Sequence, residues 1–143
     1  MLLIEYCYPD FVKVYLIDFT GHGELGIAMG RLTTHVLDIA NGSPGAGIRI
    51  DLFHYGHHDA IVSMVTNADG RCDTSLLEGE AFKAGEYELV FHAGEYFNSK
   101  GHEDGEHRFL DRVVIRFGIN DQDQDYHVPL ILSPFGYSTY RGS

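Results

Sequence analysis

Apolar and polar residues alternate along most of the chain with the two-residue period of β-strands, and turn residues separate the alternating segments. Between residues 47 and 55, for example, Ile48, Ile50 and Leu52 all fall on one face. The pattern predicts strands at residues 31–39, 47–55, 60–66, 86–92, 113–119, 126–133 and 137–141. Seven or eight short strands at this spacing predict an all-β domain, a β-sandwich, with one or two helical turns at 93–100.

The first 30 residues have a different pattern. Acidic residues break their apolar runs, which argues against a secretory signal and against a membrane span, since a span needs about 20 largely uninterrupted apolar residues. Residues 11–19 are compatible with either an edge strand or a short docked helix, and residues 20–30 are typical of a Gly-rich linker. We therefore expect residues 1–30 to be an extension outside a domain formed by residues 31–143.

Composition supports the strand prediction and narrows the choice of partners. The chain of 143 residues has the length of one domain, and its 17 Gly, 9 Tyr and 9 Phe against 4 Pro favour short strands joined by turns. The 10 basic and 21 acidic residues give a net charge of -11, which argues against nucleic acid and an anionic membrane as partners. An anionic ligand would therefore need a local basic site.

The spacing of cysteines and histidines predicts no metal site. Cys7 and Cys72 lie far apart and in no CxxC or CxxH motif, so neither a disulfide framework nor a thiolate zinc site is supported. A reducing compartment, the cytoplasm, fits this cysteine usage. The densest histidine group, His54, His57 and His58, lacks the further ligands that zinc needs and is typical of a solvated loop.

One proline stands out in the strand pattern. Pro129 lies within residues 126–133, which otherwise have the apolar character of a central strand. Because proline cannot donate a ladder hydrogen bond, Pro129 predicts either a sheet edge or a bulge at this point. Such irregularities re-aim neighbouring side chains, and the neighbour of interest is His127.

Two histidines sit inside predicted strands, among apolar or β-branched neighbours. The pattern leaves two interpretations open for His35 and His127, namely a hydrogen-bonded core histidine or a side chain that faces a pocket. Together with Arg71 they would suffice for hydrolysis, since an imidazole can activate water and a guanidinium can polarise a carbonyl. The chain has no GxSxG motif and no plausible cysteine nucleophile, which disfavours covalent catalysis.

Three ordered motifs add a resemblance to a known family. The C-terminal sequence HVPL at 127–130, followed by Ser133–Pro134 and GYSTYRGS at 136–143, closely resembles the terminal signature of the 5-hydroxyisourate hydrolase family, the transthyretin-like enzymes of purine catabolism. The sequence LTTHVLD at 32–38 is similar to the first signature of that family, and Thr66–Asn67 with Asp69–Arg71 resembles the middle one. The resemblance covers residues 31–143.

This resemblance implies a transthyretin-like (prealbumin-like) Greek-key β-sandwich that assembles as a homotetramer, a dimer of dimers, with active sites at the dimer interface. It implies hydrolysis of 5-hydroxyisourate to 2-oxo-4-hydroxy-4-carboxy-5-ureidoimidazoline without a metal or an organic cofactor. The catalytic residues that it implies are His35, Arg71, His127 and Ser143. The substrate-binding residues that it implies are His35, Arg71, Tyr140 and Arg141.

Two other functions remain open on the sequence. Transthyretin itself has the same sandwich and carries thyroid hormone, so a small-molecule carrier is the first alternative. A structural sandwich module, with residues 1–28 as the remnant of a linker, is the second. Two histidines and Arg71 favour the enzyme, because an apolar hormone channel needs neither imidazoles nor a guanidinium.

Overall fold

The computed structural model describes residues 2–8, 11–17 and 29–143 of the chain. In the first two segments, strands β1 (Leu2–Tyr8) and β2 (Phe11–Ile17) pair antiparallel, with Leu2 opposite Ile17. Of the two alternatives for residues 11–19, the strand is therefore correct from Phe11 to Ile17. The Gly-rich linker predicted at 20–30 lies outside the described residues except for its last two positions.

Residues 29–143 contain eight strands and one short α-helix, as the sequence pattern predicted. A single 3-10 turn, Gly79–Ala81, precedes the fifth of these strands. The elements are β3 (Leu32–Asp38), β4 (Ser43–Pro44), β5 (Arg49–His54), β6 (Val62–Val65), β7 (Gly85–Phe91), α1 (Ala93–Ser99), β8 (Val113–Ile119), β9 (Tyr126–Ser133) and β10 (Gly136–Thr139). Within the described part of the chain, no helix has the length and apolar character of a membrane-spanning helix.

The eight strands form two four-stranded sheets that enclose one hydrophobic core. The strand order is β10-β9-β3-β4 in the first sheet and β6-β5-β7-β8 in the second. Apolar side chains from both sheets fill the space between them, together with Phe82 from the segment before β7 and Phe97 from α1. This arrangement confirms the predicted β-sandwich.

Strand β3 shows how the first sheet separates core from surface. Leu32 and Val36 are fully buried on the inner face, whereas Thr33 and His35 are half-buried on the outer face. Strand β3 pairs parallel with β9, so that Thr33 lies opposite His127. The outer face of this sheet thus brings together polar residues from two distant parts of the sequence.

The prediction that Pro129 marks an edge or a bulge is wrong, because β9 is an interior strand with β3 on one side and β10 on the other. Gly136 opposite Ser133 and Gly142 opposite His127 keep the same register, so no residue is inserted between them. Hydrogen-bonded pairs recur at every second residue of an antiparallel ladder. Two residues from the bonded pair of His127 and Gly142, Pro129 would have to donate to residue 140, and proline has no N–H to donate. Strand β10 therefore ends at Thr139, whose hydroxyl donates to the Pro129 carbonyl at 2.8 Å.

Candidate active site

Arg71 is positioned by the tight turn 67–70. The side-chain oxygen of Asn67 accepts hydrogen bonds from the backbone N–H of Asp69 at 2.9 Å and of Arg71 at 3.2 Å. Gly70 has a φ of 74°, and a Cβ there would collide with the Val36 carbonyl, so the turn can lie against β3 only with glycine. Arg71 then forms an isolated β-bridge with His35.

His127 is held from two sides on the outer face of the sheet. Its Nδ1 lies 2.8 Å from the Thr33 hydroxyl on β3. Its carbonyl accepts a hydrogen bond of 2.8 Å from the N–H of Gly142, and its ring lies where a side chain on Gly142 would be. The C-terminal segment after β10 therefore pairs with β9 again at Gly142, which lies directly against the His127 ring.

His35 lies next to Arg71 through the β-bridge between their backbones. Burial and the positive charge of Arg71 lower the pKa of His35 below its ordinary value of 6.5. For His127 burial has the largest effect, and Arg71 and His35 add to it, so the pKa of this imidazole is lowered as well. Both rings are therefore neutral near pH 7 and able to accept a proton.

Arg71, His127 and Ser143 all line one cavity of about 590 Å³, a size typical of small-molecule sites. The wall contains two basic and three acidic side chains, so the cavity is polar but not strongly basic. The other residues that line it are Arg31, Thr33, Thr34, Cys72, Asp73, Thr74, Ser75, Glu78 and Asp125.

The remaining residues of the predicted site lie around this cavity. His35 is adjacent to it through Arg71, but its side chain does not belong to the wall. Tyr140 is 60% exposed. Arg141 points away, because its guanidinium lies 4.1 Å from the centre of the Tyr126 ring and donates to the Gln124 side chain at 3.1 Å. The binding roles of Tyr140 and Arg141 stay predictions.

Several cavity residues were not foreseen from the sequence. Thr33 stands two positions before His35, and a period of two would have placed it on the same face of β3. Asp73 and Glu78 follow Arg71 along the chain segment that borders the cavity. Their short-range sequence carries no regular pattern, so only the folded chain identifies them.

The site can perform metal-free acid-base chemistry with its own groups. A neutral imidazole can take a proton from water, while a guanidinium can stabilise negative charge that develops on a carbonyl oxygen. Among the residues that the structure describes, no three histidine, cysteine or acidic side chains converge as metal ligands. Cys72 in the cavity wall is a free thiol whose pKa is raised by burial and by the nearby Asp73 carboxylate, which keeps it protonated.

Comparison with known proteins gives consistent matches over the same part of the chain. The model of the HIUase/Transthyretin family matches residues 32–142. A curated 5-hydroxyisourate hydrolase of Pseudomonas aeruginosa is 55% identical over 117 residues, which cover 80% of this chain and 93% of that protein.

Solved structures show the same correspondence in three dimensions. The 5-hydroxyisourate hydrolase of Klebsiella pneumoniae has a TM-score of 0.68 at 35% identity, over 80% of this chain and 100% of that one. An (S)-allantoin synthase has a TM-score of 0.77 at 45% identity, over 82% of this chain but only 45% of that longer one. The sandwich thus spans less than half of the synthase and almost the whole of both hydrolases.

Proposed function

Because the chain belongs to the HIUase/Transthyretin family, we propose that the cavity between Arg71 and His127 is the site at which it hydrolyses 5-hydroxyisourate. The activity is that of the curated relatives, which align over nearly their whole length. The observation that carries the assignment to this cavity is that Arg71 from the middle signature and His127 and Ser143 from the terminal signature line one wall.

Arg71 binds the carbonyl of the ring amide in this proposal. Attack by water converts that carbonyl to a tetrahedral centre with negative charge on oxygen, and the guanidinium stabilises this charge. The N–H of Arg71 donates to the Asn67 side chain and its carbonyl accepts from the Asn67 N–H, so the guanidinium starts from a defined backbone position. Loss of such a donor costs about 10² to 10³-fold in rate.

The two histidines handle the proton. One imidazole takes a proton from the attacking water, whose oxygen forms a bond to the amide carbon. The ring C–N bond then breaks, and the proton passes to the departing nitrogen, either directly or through the second imidazole. The product is 2-oxo-4-hydroxy-4-carboxy-5-ureidoimidazoline, and general acid-base help of this kind contributes about 10² to 10⁴-fold. Ser143 and Tyr140 complete the pocket around the substrate.

A carrier function fits this cavity less well. A thyroid-hormone-type ligand calls for an apolar channel, whereas this wall contains an imidazole, two guanidinium groups and three carboxylates. The burial of charged and polar groups beside an apolar ligand would cost binding energy. The enzyme is therefore the function that the geometry supports best.

The experiment that tests the proposal follows the ultraviolet decay of freshly generated 5-hydroxyisourate. We expect the wild-type protein to accelerate the decay and His127→Ala to lose about 10² to 10⁴-fold of that rate. His58→Ala, a substitution in the exposed loop 55–59, is the matched control and keeps wild-type turnover. Near wild-type turnover in His127→Ala would contradict the assignment, and hormone binding without acceleration would favour the carrier.

The proposal includes assembly as a homotetramer, a dimer of dimers. Strands β8 and β10 are edges of their sheets, and edge strands are ready to pair with a second copy. The exposed Tyr140 and the polar outer face of β3 would then lie at an interface between copies. Sedimentation that finds monomer at all concentrations would contradict this part.

Residues 31–143 form the hydrolase domain in this proposal, and residues 1–30 are an appendage to it. In the part of the chain that the structure describes, the buried core extends from Leu32 to Leu132. A cytoplasmic location completes the proposal, and the free thiol of Cys72 is compatible with such a reducing compartment.

A further inference from the structure

The Thr33 hydroxyl and the His127 ring form a contact that the reaction described above does not use. Thr33 Oγ1 lies 2.8 Å from His127 Nδ1, across the parallel pair of β3 and β9. Of the two strands, β3 belongs to the first sequence signature and β9 to the last. The contact therefore fixes the ring of one predicted catalytic residue by a side chain from the opposite end of the domain.

The same ring is confined on its other edge. An added Cβ on Gly142 would lie 2.5 Å from His127 Cδ2, so the bare glycine backbone lies directly beside this edge. With Nδ1 bonded to Thr33 and Cδ2 against Gly142, the ring cannot turn without losing one contact. Nε2 is then the nitrogen left for the cavity that His127 shares with Arg71.

The hydroxyl of Thr33 can either donate to Nδ1 or accept from it, and the surroundings favour acceptance. Arg71 lies close enough to His127 to disfavour positive charge on the ring. An N–H on Nε2 would point the positive end of its dipole into the cavity that contains this guanidinium, whereas a lone pair there is attracted by it. The proton therefore belongs on Nδ1, where the Thr33 oxygen accepts it.

We propose that Thr33 is a positioning residue that holds His127 with its proton on Nδ1 and thereby makes Nε2 the base that activates water. The inference deepens the proposed function and rests on it. It also separates the two histidines, since His127 lines the cavity and His35 does not. His127 is then the base, and His35 is the group that assists or orients.

The test compares Thr33→Val, which keeps the β-branched shape but removes the hydroxyl, with Thr33→Ser, which keeps the hydroxyl. Loss of one hydrogen bond to the base predicts a fall in kcat of about tenfold in Thr33→Val, with KM within about twofold. Thr33→Ser retains kcat within about threefold of wild type. Thermal denaturation of all three proteins checks the fold, and Thr33→Ala repeats the comparison with a smaller side chain.

The direct readout is the tautomer of His127, measured from its imidazole nitrogen shifts by long-range proton–nitrogen correlation and assigned by comparison with His127→Ala. We expect the Nδ1–H form in wild type and in Thr33→Ser, and a mixture of tautomers in Thr33→Val. A wild-type ring with its proton on Nε2, or a Thr33→Val protein with unchanged kcat and tautomer, would overturn the inference. A wild-type protein that leaves 5-hydroxyisourate decay unaccelerated would instead overturn the proposed function, whatever the tautomer.

Discussion

Substitution of Gly142 by alanine tests whether the site depends on close contact between the C-terminal segment and His127. The added methyl group would lie 2.5 Å from His127 Cδ2 and 3.2 Å from both Cβ and Cγ of the same residue. Carbon atoms in ordinary contact are about 3.5–4.0 Å apart, so either the ring or the segment has to move by about 1 Å.

Either response impairs the site. A ring displaced by about 1 Å cannot keep the 2.8 Å bond to Thr33 on its opposite edge, because hydrogen-bond lengths vary by only a few tenths of an ångström. If the segment moves instead, the 2.8 Å bond between the Gly142 N–H and the His127 carbonyl breaks, and Ser143 leaves the cavity wall. Misplacement by about 1 Å can cost about 10²-fold in rate, or about 2.7 kcal/mol of activation free energy.

The assay is again the decay of freshly generated 5-hydroxyisourate, with kcat and KM determined separately. Gly136→Ala is the matched control, since it adds a methyl group to the same terminal part of the chain. The nearest atom to that methyl group would be Ser133 Oγ at 3.7 Å, an ordinary contact. We expect Gly136→Ala to keep wild-type kinetics and both variants to keep the melting temperature of the wild type within a few degrees, since neither position is in the core.

Equal activity of Gly142→Ala and Gly136→Ala would refute this reasoning, because it would mean that the position of His127 does not depend on the residue beside it. A large loss of melting temperature in Gly142→Ala alone would also refute it, since the effect would then be on folding.

Two further predictions concern the charge of the site and the extent of the domain. Arg71→Gln removes a positive charge that lowers the pKa of both His35 and His127, so both pKa values rise. The acid limb of the pH profile of kcat/KM therefore moves to higher pH. We also expect kcat/KM to fall by about 10² to 10³-fold, because the guanidinium no longer stabilises the developing charge. Arg112→Gln, an exposed position, is the control, and an acid limb that stays in place in Arg71→Gln would contradict the electrostatic argument. A chain that begins at Met29 should retain wild-type kcat, KM and melting temperature, because the described core begins at Leu32; insolubility or loss of activity on its purification would show that residues 1–28 are needed.

The strands of the sandwich were predictable because their side chains alternate between a buried and an exposed face. In β3 and β8 this alternation is nearly complete, and the predicted bounds differ from the observed ones by only one residue at any end. At residues 11–19 the sequence has apolar residues at both odd and even positions, so the pattern did not decide between strand and helix. The strand Phe11–Ile17 pairs with Leu2–Tyr8, and no local sequence pattern encodes that pairing.

The prediction for Pro129 was wrong because a missing N–H affects only one side of a strand. On the β3 side the ladder of β9 is continuous from Tyr126 to Leu132, while on the β10 side the gap coincides with the end of that strand. The sequence rule notes only that proline lacks an N–H; it does not say toward which neighbouring strand that N–H would have pointed. The missing hydrogen bond still lies close to His127, since His127 is two residues before Pro129 and pairs with Gly142 beyond the end of β10.

Some residues of the candidate site belong to sequence motifs and could be predicted, whereas others belong to none. His35, Arg71 and His127 could be proposed from motifs and from their position in strands or after a turn. Thr33 becomes a candidate only when the parallel register places it opposite His127. The direction of the Arg141 side chain depends on Tyr126 and Gln124, which a motif does not contain.

The alternation along β3 means that one strand satisfies two unrelated sets of requirements. Its even-numbered positions, such as Leu32 and Val36, fill the core, while its odd-numbered positions, Thr33 and His35, lie on the outer face, in or beside the site. Substitutions on one set can therefore change the chemistry while the other set preserves folding. Insertion or deletion of a single residue would exchange the two faces and disrupt both. This sandwich can thus acquire new ligands by point substitutions on the outer face of β3, but not by changes in the length of that strand.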